Sequence, residues 1–480
     1  MRKALKYGGG GLLGAVLATM VLGSQAYAQD ADPVEMVNEL TTATNLLWVV
    51  IGAVLVILMQ AGFALVETGF TQKKNANHVF STNFAIFGLG FVGFLFLGFP
   101  LAFGGFSYSA FGLTEPMNGD GLPLIGGANS GLLYWGYDHL GNAASPALLG
   151  FFLYMVAFMD TVATIPTGAM AERWKWNSFA GWGLFCGAIY YPLFAAWTWG
   201  GGWLAKTWET MSLGAGYVDF AGSGVVHSVG AAAGLSGALV LGPRLGKYDA
   251  DGTPRAILPH NIPMAQLGCF ILLFGWFGFN AASTFAATDV QFATVATNTA
   301  VAGAVGATVA MWYVQWKTKK VDAGMMVNGM LAGLVAITAP CAFVAPWASA
   351  VIGLVAAVLV VEAAWFIERK GVDDPVGAVA VHGVGGGLGV LFVGIFANGR
   401  YGAGWNGSSS EGVEGIIKGN WGQLGAQALG LVVIWTVIFG ISYAFWKIQN
   451  AVMKDGIRPP VEWEQEGMDI PELGVLAYND

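Results

Sequence analysis

Residues 219–235, DFAGSGVVHSVGAAAGL, set His227 inside a run of small apolar residues, and residues 373–390, DDPVGAVAVHGVGGGLGV, do the same with His382. The chain has only five histidines in 480 residues, so two in matching apolar settings need a reason. In each stretch an aspartate precedes the histidine by eight positions, Asp219 in the first and Asp374 in the second. The correspondence reads as an internal repeat, and the segments around the two copies decide its kind.

With 55% hydrophobic residues, 10% charged residues and a mean hydropathy of +0.61, the chain is too apolar for an ordinary water-soluble protein. Apolar runs long enough to cross a bilayer begin near residues 44, 79, 147, 178, 222, 260, 291, 323, 347, 379 and 422. His227 then lies in the fifth span and His382 in the tenth. Because five is odd, the two halves must be inverted with respect to each other, which brings both histidines toward mid-membrane from opposite sides. The expected fold is an all-α membrane protein of eleven transmembrane helices with an inverted five-plus-five repeat.

Residues 1–28 combine a basic start (Arg2, Lys3, Lys6), a short apolar core and the small-residue end Ala26-Tyr27-Ala28, which fits a cleaved signal peptide; the alternative is an uncleaved first helix. Cleavage puts the mature N-terminus outside and, after eleven crossings, the C-terminus inside. Fifteen lysines and arginines then fall in inner loops and the tail, against Lys206, Arg400 and Lys418 outside, as the positive-inside rule requires. The expected division is signal at 1–28, membrane domain at 29–448 and cytoplasmic regulatory tail at 449–480. Localisation in the cell inner (plasma) membrane follows.

Cys186, Cys269 and Cys341 lie in apolar segments without CxxC spacing and read as packing residues. The formal charge of −8 offers no basic patch for nucleic acid. No nucleophile–base constellation, phosphate loop or metal-ligand spacing is present, so neither an enzyme nor a bound cofactor or metal is expected. The sequon Asn406-Gly407-Ser408 reads as a chance match.

A lone histidine in a membrane helix can simply hydrogen-bond a carbonyl. A symmetric pair favours a lined pathway, since ionisable groups within the membrane face one another or a cavity. Two imidazoles in contact can share a proton and still offer a polar edge to a small solute.

The chain resembles the ammonium transporter (Amt/Mep/Rh) family, bacterial Amt branch, through AER at 171–173, WGGG at 199–202, GPRLG at 242–246, PHNIP at 259–263, GWFGFNAAS at 275–283, the two histidine stretches and the tail EWEQEGMDIPELGVLAY at 462–478. The resemblance implies homotrimers in which each protomer has its own ammonium/ammonia pore. It implies an outer recruitment site at Trp199 and Ser283, with Phe158 and Asp219 adjoining, and a gate of Phe158 and Phe279. It places His227, His382 and Trp276 along the pore, and a PII-type signalling protein at the cytoplasmic face. Phe279 and Ser283 are four apart, hence about one helical turn, with Ser283 toward the outside. For Asp219, capping of its helix and contact with the ion both remain open.

Asp160, two residues and about 200° from Phe158, is expected to face away from the path as a buried structural partner. Glu67, Glu172 and Glu362, near span ends, are expected to be structural. A Rhesus-type gas channel and an ammonium sensor working through a cytoplasmic partner are the alternative functions.

Overall fold

The computed structural model describes residues 32–114, 140 and 144–478. The expected signal peptide and most of the glycine-rich loop before Pro146 lie outside the described residues. Within these, the chain is helical, with isolated β-bridges only. Eleven apolar helices follow in order: α1 (Pro33–Phe70), α2 (Lys73–Phe103), α3 (Pro146–Ala169), α4 (Trp176–Trp197), α5 (Ser223–Leu241), α6 (Ile262–Thr284), α7 (Gln291–Thr318), α8 (Ala323–Thr338), α9 (Pro346–Arg369), α10 (Val379–Phe396) and α11 (Trp421–Val452).

Two of them depart from the pattern of apolar runs. The first helix starts at Pro33, well before the run at 44, because Asp32 caps it (Oδ1 accepting from the Val34 N–H at 2.9 Å) and proline suits the first helical position. Its added turns leave Val34, Val37 and Leu40 exposed. Helix α8 is only 16 residues, about 24 Å at 1.5 Å per residue. The irregular backbone that follows it is buried in protein, and Asn298 Nδ2 donates to the carbonyls of Cys341 and Val344 at 2.8 and 3.0 Å. That arrangement is how non-helical backbone is tolerated at membrane depth.

Glycine sets the spacing on this side of the bundle. A Cβ at Gly306 would stand 2.3 Å from the Gly329 carbonyl oxygen, and one at Gly333 would stand 2.2 Å from that of Ala302. Helices α7 and α8 therefore touch backbone to backbone, a contact that small residues permit where lipid gives no hydrophobic drive for association.

The repeat is visible in backbone geometry. Both α5 and α10 begin with π-helical turns, Ser223–Ser228 and Val379–Val384, and each turn carries its histidine. π turns break the regular register of side chains and occur often at functional sites. In front of each turn sits the paired aspartate. Asp219 accepts four backbone N–H bonds, from Gly222, Ser223, Gly224 and Val225 at 2.8–3.0 Å. Asp374 Oδ2 accepts from Val379 and Ala380 at 2.8 and 3.3 Å, while its Oδ1 is buried without a partner among the described residues.

Three of the motifs meet at one end of the bundle. Arg173, fully buried, donates to the carbonyls of Ala171, Gly242 and Asp373, while Arg244 pairs with Glu172 and holds Asp373 through Nε and Nη2 at 2.8 and 2.9 Å. Glu172 is thus a structural ion-pair partner. Burial pushes the Asp373 carboxyl upward, but hydrogen bonds and charge from Arg244, with the charge of Arg173, outweigh it and hold the group well below the usual carboxylate range.

The tail folds back onto this same end. Lys74 Nζ donates to the Glu464 and Gln465 carbonyls at 2.7 and 2.8 Å, and Asp469 accepts from the N–H groups of Asn77 and His78 at 3.1 and 2.8 Å. Glu472 Oε2 takes both His78 Nε2 and the Trp176 N–H, at 3.0 and 2.8 Å. A short α-helix, α12 (Val461–Glu466), and the π turn Asp469–Leu473 after it make up this clasp.

Candidate substrate pathway

At the end opposite the tail a cavity of about 790 Å³ opens between helices, lined by Tyr154, Phe158, Trp199, Asp219 and Ser283 among others. Trp199 follows α4 and is oriented by its Nε1–H, which donates to the Asp219 backbone carbonyl at 2.7 Å. Since both carboxylate oxygens of Asp219 are taken up by backbone N–H groups, that residue fixes the start of α5 with its side chain and the indole with its main chain.

Ser283 lies where α6 changes from a π turn (Phe277–Ala281) to a 3₁₀ turn (Ala282–Thr284). In spite of that irregularity, its Oγ donates to the Phe279 carbonyl at 2.7 Å, so the one-turn relation of the two residues is kept. The same oxygen is 3.0 Å from the Tyr154 hydroxyl. Tyr154 was not among the expected site residues. It stands one turn before Phe158 on α3 with ring centroids 4.8 Å apart, and its position four residues from a gate aromatic is the signal that could have found it.

Beneath the cavity the rings form a column. Trp199 meets Phe158 edge-on at 5.8 Å, Phe158 stacks on Phe279 at 4.2 Å, Phe279 lies 5.5 Å from His227, and His227 lies 5.1 Å from His382. Phe63 of α1 follows at 6.3 Å from His382. Phe158, Phe279 and His227 are each at most 1% exposed, so the column is closed to bulk water. Trp276 flanks it 5.3 Å from His227, its Nε1 donating to Thr338 Oγ1 at 2.9 Å.

The two histidines face each other through Nδ1 atoms 3.1 Å apart. One nitrogen must donate and the other accept, so the pair holds a single proton between the two rings; a second would oppose two N–H groups. The His227 Nε2 is buried without a partner among the described residues. A small neutral solute with both donor and acceptor capacity can satisfy such an atom, whereas a bare cation would be desolvated among phenyl rings at high cost.

Asp160 is 2% exposed, lines neither the cavity above the column nor the small one past His382, and its Oδ1 has no hydrogen-bond partner among the described residues. The three cysteines are buried and unpaired. Asn406 of the sequon spends its Nδ2 on the carbonyls of Ala215 and Tyr217, both at 2.9 Å, so the amide that a glycan would need is already a structural donor.

The model of the Ammonium Transporter Family matches residues 47–478. The chain is 39% identical to "Ammonium transporter Amt2" of Archaeoglobus fulgidus over 97% of its length and 94% of that protein's. It is 32% identical to "Ammonium transporter 1 member 3" of Solanum lycopersicum, covering 92% and 94% respectively. Among solved structures, one titled "Sensor Amt Protein" superposes with a TM-score of 0.77 at 35% identity, over 91% of this chain and 99% of that one. Candida albicans Mep2 gives 0.69 at 26% identity, over 85% of each chain. A family match across nearly the whole membrane region, agreeing with an eleven-helix bundle around a closed aromatic–histidine column, establishes that the chain belongs to the Ammonium Transporter Family.

Proposed function

We propose that ammonium is recruited from outside at the large cavity, loses its proton there, and crosses as ammonia past Phe158 and Phe279 to His227 and His382. That the protein carries ammonium across the cell inner (plasma) membrane follows from its family; the assignment of steps to residues is our reading. An indole face attracts a cation by up to about 2 kcal/mol when desolvated. Ser283 Oγ supplies an acceptor beside it, and the proton, released to vestibule water, follows separately from the ammonia through the pair of His227 and His382. Asp219 contributes by fixing Trp199 and adding negative potential.

The carrying observation is the unbroken order of Trp199, Phe158, Phe279, His227 and His382 below a cavity. The test is the ammonium-evoked current on a solid-supported membrane, with ammonia uptake followed in parallel, for wild type and for His227→Ala/His382→Ala. Loss of current with uptake retained assigns the proton path to the histidines. No current in either, with uptake retained, makes the protein a passive ammonia channel of Rhesus type. Unchanged current and uptake in the double variant would overturn the reading.

The charge bias of the loops supports an outside N-terminus after signal cleavage and an inside C-terminus. Homotrimer assembly and a PII-type partner at the cytoplasmic face are carried by the family resemblance. The clasp of the tail on Lys74, His78 and Trp176 supplies a surface whose release such a partner would control. A sensing role through such a partner is the second reading, favoured by the likeness to the "Sensor Amt Protein" structure. Co-purification with and without residues 449–480 tests it, and tail-independent behaviour under every nitrogen condition excludes it.

A further inference from the structure

Past His382 the column opens into a second, much smaller cavity of about 20 Å³, lined by Phe63, Glu67, Asn328, Val376 and His382 among others. One water-sized molecule needs roughly 10–15 Å³ on this measure, so the space takes a single small solute. Phe63 lies under His382, and Glu67 is one turn further along α1 toward the tail end.

The polar side chains facing this space are the Glu67 carboxyl, the Asn328 amide and the His382 imidazole. Glu67, 3% exposed, receives Thr167 Oγ1 on Oε1 at 2.8 Å and Asn83 Nδ2 on Oε2 at 2.6 Å. The Asn83 amide is fixed in that sense because its Oδ1 is occupied by Thr164 Oγ1 at 2.9 Å and Gln60 Nε2 at 3.2 Å. Each carboxylate oxygen keeps a further lone pair. Asn328, 7% exposed, has an Oδ1 with no hydrogen-bond partner among the described residues. The cavity lining includes no lysine or arginine. A buried acidic side chain with lone pairs to spare and an unused amide oxygen around a one-molecule space suit a small cation rich in N–H donors.

We propose that Glu67 and Asn328 form a second ammonium site, at the inner mouth, separated from the outer one by the phenylalanine gate and the histidine pair. It rests on the pathway reading for its orientation and its cargo. The outer site holds its ion by an aromatic face and a hydroxyl; this one holds it by a carboxylate and an amide oxygen, so the two ends respond to different substitutions.

The test uses the full chain in proteoliposomes, with ammonium applied to the tail-bearing face or to the opposite face and the half-saturating concentration measured for each. Glu67→Gln is expected to raise the tail-face value by roughly ten- to a hundredfold, the usual worth of a hydrogen bond to a charged group, with the opposite-face value unchanged. Moving the charge across the cavity in Glu67→Gln/Asn328→Asp is expected to restore it. A shift of both faces together, or of neither, overturns the proposal, as does failure of the double variant to recover while it keeps the wild-type thermal midpoint. If Glu67→Gln does not fold, Asn328→Asp alone decides: it must lower the tail-face value, and no change overturns the site. Trp199→Ala in the same preparation separates the two readings. Its failure to move the opposite-face value would sink the outer-site assignment and leave the Glu67 result standing on its own.

Discussion

The Nδ1 atoms of His227 and His382 lie 3.1 Å apart in rings inclined by 22°, although the residues are separated by 155 positions and reach the contact from oppositely directed helices. Removing one ring strands the other. His382→Ala leaves the His227 Nδ1 buried without its partner, at a cost of about 1–3 kcal/mol. We expect a lower thermal midpoint in detergent and a loss of ammonium-evoked current of roughly a hundredfold, the common worth of a positioned proton-transfer group. A wild-type current in His382→Ala would contradict the shared-proton arrangement.

Trp199→Ala removes the aromatic face above Phe158. The half-saturating ammonium concentration should rise by roughly two- to thirtyfold, corresponding to about 0.5–2 kcal/mol of cation–π attraction. Trp199→Phe keeps a ring but loses the Nε1–H bond to the Asp219 carbonyl and should fall between the two. Concentration–response curves for the three proteins check the order.

Asp219→Ala should act on the fold before it acts on the ion. Four backbone N–H groups at the start of α5 lose their acceptor together, and a cap alone is worth about 0.5–2 kcal/mol. A marked fall in thermal midpoint is expected along with lost transport. A stable but inactive Asp219→Ala protein would instead assign the carboxylate to the ion.

At the tail end, Asp373→Asn leaves Arg244 and Arg173 short of their buried counter-charge, which typically costs about 3–5 kcal/mol. The folded-state pKa of Asp373 is depressed, so its contribution is fully present above the unfolded value near roughly pH 4 and is lost as pH falls below it. Thermal melts in detergent should therefore show the gap between wild type and Asp373→Asn at its full size at neutral pH and narrowing progressively as pH is lowered below about 4, toward the depressed folded-state value.

Gly329→Val would drive a side chain into Ala310 and the Gly306 carbonyl, with its Cβ at 2.2 and 2.7 Å, and should abolish well-folded protein. Gly387→Ala, which meets nothing within 4 Å, should be neutral or slightly stabilising. Fluorescence size-exclusion profiles distinguish the outcomes.

The helices were legible because apolar runs of bilayer length carry their own signal, and only the ends that depend on caps or buried turns escaped it. Asp32-Pro33 is a start signal that the apolar count alone does not weigh. The early stop of α8 is paid for by Asn298, a residue distant in sequence. At the site, the Asp219/Asp374 spacing gave the histidine pair, and helical geometry gave Phe279 and Ser283 in order. Tyr154 was missed because an aromatic in a membrane helix looks the same whether it faces lipid or a vestibule. Glu67 was read as structural from its place near a span end; its bonds to Asn83 and Thr167 fit that reading, while the cavity beside it required α1, α8 and α10 to be seen together. The tail clasp depends on contacts across almost 400 residues, which no local pattern encodes.

The two capping aspartates show how far a duplication can drift without losing its shape. Both copies still start a helix with a π turn and present a histidine, yet Asp219 has every lone-pair direction committed to its own backbone while Asp374 keeps one oxygen idle. The two-fold relation survives in the main chain and has lapsed in the side chains. A conduit built this way has no chemical two-fold: one end presents an indole held by the Asp219 main chain, and the other presents Glu67 and Asn328. Any preference for one direction of flow is expected to follow from that chemical inequality of the two ends.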